Sequence, residues 1–159
     1  MKKTNQAVQP EKKHTVAEIM CYVLTQCDTY IRQFEDLKEQ FKNCCITVKP
    51  DIDLLDITEN WSERILQKGW LALEAKRLKD RFGPIGLEGG VVVATTKQDA
   101  LYWFDRKIDD LSNELSFMSQ SYLNSTSPIA NLSKLAKAAA IAQMLDDMKA
   151  FRKGLEEVE

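Results

Sequence analysis

Val16, Met20, Val23, Cys27, Tyr30, Phe34, Leu37, Phe41 and Cys44 follow one another in alternating steps of four and three residues, without a miss. A repeat averaging three and a half residues puts all nine on one side of an α-helix and does not fit the two-residue period of a strand. Ile19, Leu24 and Ile31 widen the stripe in its first half, which suits a bundle core better than a two-stranded seam. At about 1.5 Å per residue such a helix is roughly 45 Å long. Its start is marked by Thr15-Val-Ala-Glu18, a capping box in which the hydroxyl accepts from an orphan amide and the carboxylate reaches back.

Three more segments carry helical periodicity. The second begins among Asp51, Asp53, Asp56 and Thr58, each a plausible cap, and stops at Phe82-Gly83-Pro84. Its apolar set (Ile57, Trp61, Ile65, Leu66, Trp70, Leu71, Leu73, Ala75, Leu78 and Phe82) drifts around the axis, as expected for a helix that meets more than one neighbour. The third opens at Thr95 or Thr96, with Gln98 or Asp99 at the matching third position. It continues through Leu101, Phe104, Ile108, Leu111, Leu115, Met118 and Tyr122. An aspartate at Ile108 is expected to be severely destabilising, because it would bury a carboxylate in that seam. The fourth starts at Ser127-Pro128 and carries Leu132, Leu135, Ala138, Ile141, Leu145, Met148, Phe151, Leu155 and Val158. Its alanine-rich stretch from Ala136 to Ala142 allows close approach of a neighbour, and Gly154 is expected to fray the last turn.

The fold expected is therefore all-α: four long amphipathic helices in an antiparallel bundle with coiled-coil-like packing. Residues 1–13 form a polar, flexible N-terminal arm and residues 14–159 a single domain. Between helices two and three, the connector Gly83–Thr95 holds four glycines and a β-branched run, Val91-Val92-Val93. It reads as either a short hairpin or an extended strap.

The chemistry-bearing residues are few. The connector has the glycines of a phosphate-binding loop but neither its lysine nor its hydroxyl. Asp109-Asp110 and Asp146-Asp147 are adjacent pairs, whose side chains diverge by about 100° on a helix, so solvated helix faces are expected. His14 is the one histidine, and Cys21, Cys27, Cys44 and Cys45 form no C-x-x-C pair. Tetrahedral zinc has no ligand set here, and buried free thiols are the expectation. No cofactor is implied.

A formal net charge of -2 argues against a general nucleic-acid coat. The amino terminus lacks the apolar core of a secretory signal, and no apolar run approaches the roughly 20 residues needed to cross a bilayer, so a cytoplasmic protein is expected. The sequons at Asn60, Asn124 and Asn131 are then chance matches.

These features point away from an enzyme and towards an interaction module, an adaptor, small subunit or chaperone whose partner is another protein or a second copy. Its candidate contacts are Val91, Val92 and Val93 of the connector together with Trp70 and Trp103. The alternative is a nucleic-acid-associated subunit using Lys76, Arg77, Lys79 and Arg81 at the basic end of helix two.

Overall fold

The computed structural model describes residues 14–47, 54–80, 87–88, 91–92, 96–122 and 128–158, with side chains in 14–43, 64–80, 96–120 and 131–158. The arm 1–13, Val93 and Arg81 lie outside the described residues, as do the side chains of Trp61, Cys44 and Cys45. Four helices make up nearly all of it: α1 (Val16–Thr47), α2 (Leu54–Asp80), α3 (Lys97–Tyr122) and α4 (Pro128–Glu156). The all-α bundle expected from periodicity is the architecture of the chain.

Helix boundaries follow local chemistry. The Glu18 amide donates to Thr15 Oγ1 at 3.2 Å while the Thr15 amide donates to a Glu18 carboxylate oxygen at 2.9 Å. Both halves of the expected capping box are thus formed. At α3 the choice between Thr95 and Thr96 resolves to Thr96, whose hydroxyl accepts from the Asp99 amide at 3.1 Å and donates to its carboxylate at 2.6 Å. For α2 the helix begins at Leu54, which places Asp56 and Thr58 inside it rather than at the cap. Proline 128 occupies the first position of α4, where its missing amide costs nothing.

Cross-helix contacts give the directions. Lys79 meets Asp28 at one end of the α1–α2 pair and Lys68 meets Gln33 further along, so these two helices are antiparallel. The pairs Arg152–Asp105 and Lys137–Glu114 fix α3 and α4 as antiparallel in the same way. α4 lies against all three other helices, whereas α2 packs on α1 and α4. The double engagement of α2 accounts for part of its broad apolar set.

The core runs through the middle of the four helices. On α1 the seam residues Met20, Val23, Cys27, Tyr30 and Leu37 are buried, with Val16, Phe34 and Phe41 half-buried. On α4 the alanine-rich segment turns Ala136 and Ala140 inward, and Ile141, Met144, Leu145 and Met148 follow. That placement rotates Leu135 outward to 55% exposure, against its expected seam position. Gly154 does not fray the helix, which continues to Glu156 with Leu155 fully buried. The Lys97 ammonium donates to the carbonyls of Glu156 (3.0 Å) and Val158, placing a cation on the orphan acceptors at the negative end of α4.

The connector contains a hairpin. Strand β1 (Leu87–Glu88) pairs antiparallel with β2 (Val91–Val92) in the register Leu87↔Val92 and Glu88↔Val91, and β2 packs against α1. Only Gly89 and Gly90 separate the paired residues in sequence, the length of the commonest hairpin connection. The choice between hairpin and strap resolves to the hairpin. No helix among the described residues is long and apolar enough to cross a membrane.

Candidate interaction surface

The extra apolar residues of α2 surface on its outer side. Ile65, Leu66, Gly69, Trp70 and Leu73 form a shallow trough of about 420 Å³ along the helix, flanked by Phe34 of α1 and by Ser133 of α4. Gly69 makes its floor: a Cβ there would meet the Phe34 ring at 3.1 Å and 3.3 Å, so glycine lets that ring lie against the α2 backbone. Leu73 is 38% exposed and Trp70 half-buried. Lys137 sits 5.1 Å from the Trp70 ring centroid and Lys38 5.2 Å from that of Phe34, both in cation–π geometry.

Of the aromatic contacts expected from sequence, Trp70 belongs to this surface and Trp103 does not. Trp103 is 3% exposed and packs edge-on against Phe104, with ring centroids 5.1 Å apart. It is a core residue, because α3 turns a second inner face towards the bundle at Ala100 and Trp103, beside the expected seam. Val91 and Val92 are engaged within the chain, through β1 and α1. Sequence reasoning missed Phe34, Leu66, Gly69 and Leu73 as surface elements. The available signal was that 66, 69/70 and 73 repeat on one side of α2 while the fully buried Leu71 and Ala75 lie on another.

The basic end of α2 divides between faces. Arg77 pairs with Glu74 at 2.6 Å and Lys79 reaches Asp28 of α1 at 2.5 Å, while Lys76 borders the trough. These cations do not form one stripe of the kind that tracks a phosphate backbone.

Comparison with known proteins returned nothing: no family model, curated protein or solved structure matches this chain.

A second concavity of about 320 Å³ separates α2 from α3, lined by Glu74, Arg77, Lys107, Asp110, Glu114 and Met144 among others. Its charges pair off: Arg77 with Glu74, Lys107 with Asp110 at 3.9 Å, and Glu114 with Lys137 at 2.6 Å. The pocket therefore offers a ligand little net charge. Glu74, 8% exposed, is the one buried charged residue among those described, and its Arg77 partner offsets part of the cost of that burial. Among the described residues no three of His, Cys, Asp and Glu converge as a metal site requires.

The third polar feature joins α1 to α4. The Tyr30 hydroxyl donates to Asp147 and accepts from Gln143 Nε2 at 3.3 Å. Asp147 is thus half-buried and bonded, not a fully solvated residue as its pairing with Asp146 suggested. Burial, aided by the bond to Asp147, pushes the Tyr30 phenol up to about 12. Burial, followed by the Asp28 charge, pushes the Cys27 thiol one turn away up to about 12 from 9.0. Burial also pushes the Asp147 carboxyl up from its ordinary value, against the lowering effect of the Tyr30 hydrogen bond.

Cys27 and Tyr30 favour their protonated forms when folded, so between about pH 9 and 12 the native chain holds more protons than the unfolded one. Stability fully present below that window falls as pH rises through it. Urea titrations from pH 9 to 12 should show this decline in the parent protein. A Cys27→Ala, Tyr30→Phe variant should lose less over the same interval, and parallel curves would refute the assignment.

The cysteines separate by environment. Cys27 is buried as expected, whereas Cys21 is exposed, one of α1's solvent-side positions. Alkylation by iodoacetamide, mapped by mass spectrometry, should modify Cys21 readily in the native protein. Cys27 should react only after denaturation. Equal labelling of the two would contradict the packing of α1.

Proposed function

We propose that this protein is a non-enzymatic interaction module, an adaptor, small subunit or chaperone of a larger assembly, that docks another protein on the outer face of α2. One observation carries the reading. Leu66, Trp70 and Leu73 continue an apolar row on the side of α2 that α1 and α4 leave partly open, and Phe34 extends it across to α1. Burying such side chains in the bundle would be favoured by about 1.5–3 kcal/mol each. Contiguous apolar surface left in water by a folded domain is a recurrent mark of a binding site. A half-buried tryptophan within the row supplies the kind of rigid anchor on which interface energetics concentrate. The hairpin supports this role indirectly, by packing on α1 as part of the scaffold.

The test places a photo-crosslinking amino acid at position 73 in the native host, with position 135 as the control. Both positions hold exposed leucines, but Leu135 lies outside the trough. Discrete adducts identified by mass spectrometry at 73 and absent at 135 are the expected result. No adduct at 73, or the same pattern at both, would remove the support for this reading.

A further inference from the structure

Building on the docking role proposed for the outer face of α2, we infer that its partner is an acidic amphipathic helix, apolar along one side and bearing carboxylates along its edges. Among the described residues, Lys76 is the only ionisable one lining the trough; the rest of that lining is carbon surface, the glycine backbone and the Ser133 hydroxyl. Two more ammonium groups stand at its flanks, Lys38 above the Phe34 ring and Lys137 above the Trp70 ring. Cations therefore border the apolar strip on the α1 side, on the α4 side and towards the α2 C-terminus.

All three lysines have carboxylate neighbours: Lys38 holds Glu35 and Lys137 holds Glu114, each at 2.6 Å, and the Lys76 charge also acts on Glu35. The Lys38–Glu35 pair is about half exposed on both sides, and pairs of that kind are weak and exchange readily. A docking helix can thus present its own carboxylates to Lys38 and Lys76 without breaking a buried interaction, whereas Lys137 stays with Glu114 in a pair only 24% and 34% exposed.

Shape selects a helix. The trough runs from Ile65 to Lys76, about three helical turns or roughly 16 Å. That length admits anchors at i, i+3 or i+4, and i+7 of an incoming helix. A partner added as a β-strand would need a free sheet edge, which the face of α2 does not provide. Charge selects against a second copy. In a two-fold dimer built on this face each subunit would bring the same three lysines to the same interface.

The experiment pans a displayed library of amphipathic helices, leucine along one side and randomised along both edges, against the full-length chain at low salt. Enriched sequences should carry Asp and Glu at the edge positions. The best of them, made as a free peptide, should lose about tenfold or more in affinity when the protein carries Leu73→Glu, and again when it carries Lys38→Glu with Lys76→Glu. A peptide with lysine at its edges should recover binding to the doubly reversed protein. All three substituted side chains are exposed, so circular dichroism should show each variant folded. Enriched helices that depend on Leu73 but carry neutral or basic edges would overturn the acidic partner and leave the docking role intact. If no enriched sequence responds to Leu73→Glu, both fall.

Discussion

Replacing Trp103 by alanine is expected to cost about 3–5 kcal/mol. In a domain of this size that corresponds to a fall of roughly 10 °C in the thermal midpoint. An exposed tryptophan truncated to alanine would cost almost nothing, since surface changes away from special features stay within about 0.5 kcal/mol. The difference follows from placement. Trp103 is 3% exposed, stacks edge-to-face on the fully buried Phe104, and belongs to the same cluster as Met20, Ala100 and Leu155. Removing the indole leaves a large void near the junction of the start of α3 with the ends of α1 and α4. Close packing cannot readily fill such a void. Thermal unfolding followed by circular dichroism measures the effect directly. A midpoint within a degree or two of the parent would mean that Trp103 is not packed where the structure puts it.

The same residue shows what periodicity can and cannot reveal. The seam of α1 was legible because its inward face is uniformly apolar, and its described positions are all buried or half-buried. On α3 the inward surface is wider than the seam. Ala100 and Trp103 continue as Lys107 and Glu114, which line the pocket facing α2. Two charged residues on that second face disguise it, so the sequence shows a narrow stripe with polar flanks and leaves the tryptophan outside. On α4 the misleading signal was Leu135. There the helix turns its alanines inward, where close approach favours small side chains, and the leucine takes the solvent face. The chemistry of the α2 C-terminus was legible only as composition. Its partners Asp28 and Glu74 fix where Lys79 and Arg77 point, and the first of them is 51 residues away in sequence. The trough itself was half legible: an apolar set too broad for one neighbour signals surplus, but which members remain outside depends on where α1 and α4 settle.

Ile141→Asp should be more damaging still, and more so than Ile108→Asp, although periodicity gives the two isoleucines equal standing. Ile141 is fully buried on α4, the helix that packs on all three others. Ile108 is only half-buried at the edge of the core. A carboxylate at 108 can reach water by a rotamer change and loses mainly the apolar contact, about 1.5–3 kcal/mol. At 141 the carboxylate has no route to solvent and must either take up a proton or remain buried and unpaired, at several kcal/mol. Total stability of such a domain is about 5–15 kcal/mol, so a loss of that size should leave Ile141→Asp largely unfolded at 37 °C while Ile108→Asp still folds. The sign of the pH response separates the cases further. A carboxyl forced to stay neutral in the fold has a raised pKa, so Ile141→Asp should recover stability as the pH drops towards 4, the reverse of ordinary acid denaturation. Urea titrations of both variants at pH 7 and pH 4.5 would show it. Equal destabilisation of the two at neutral pH would place α4 at the edge of the bundle, not at its centre.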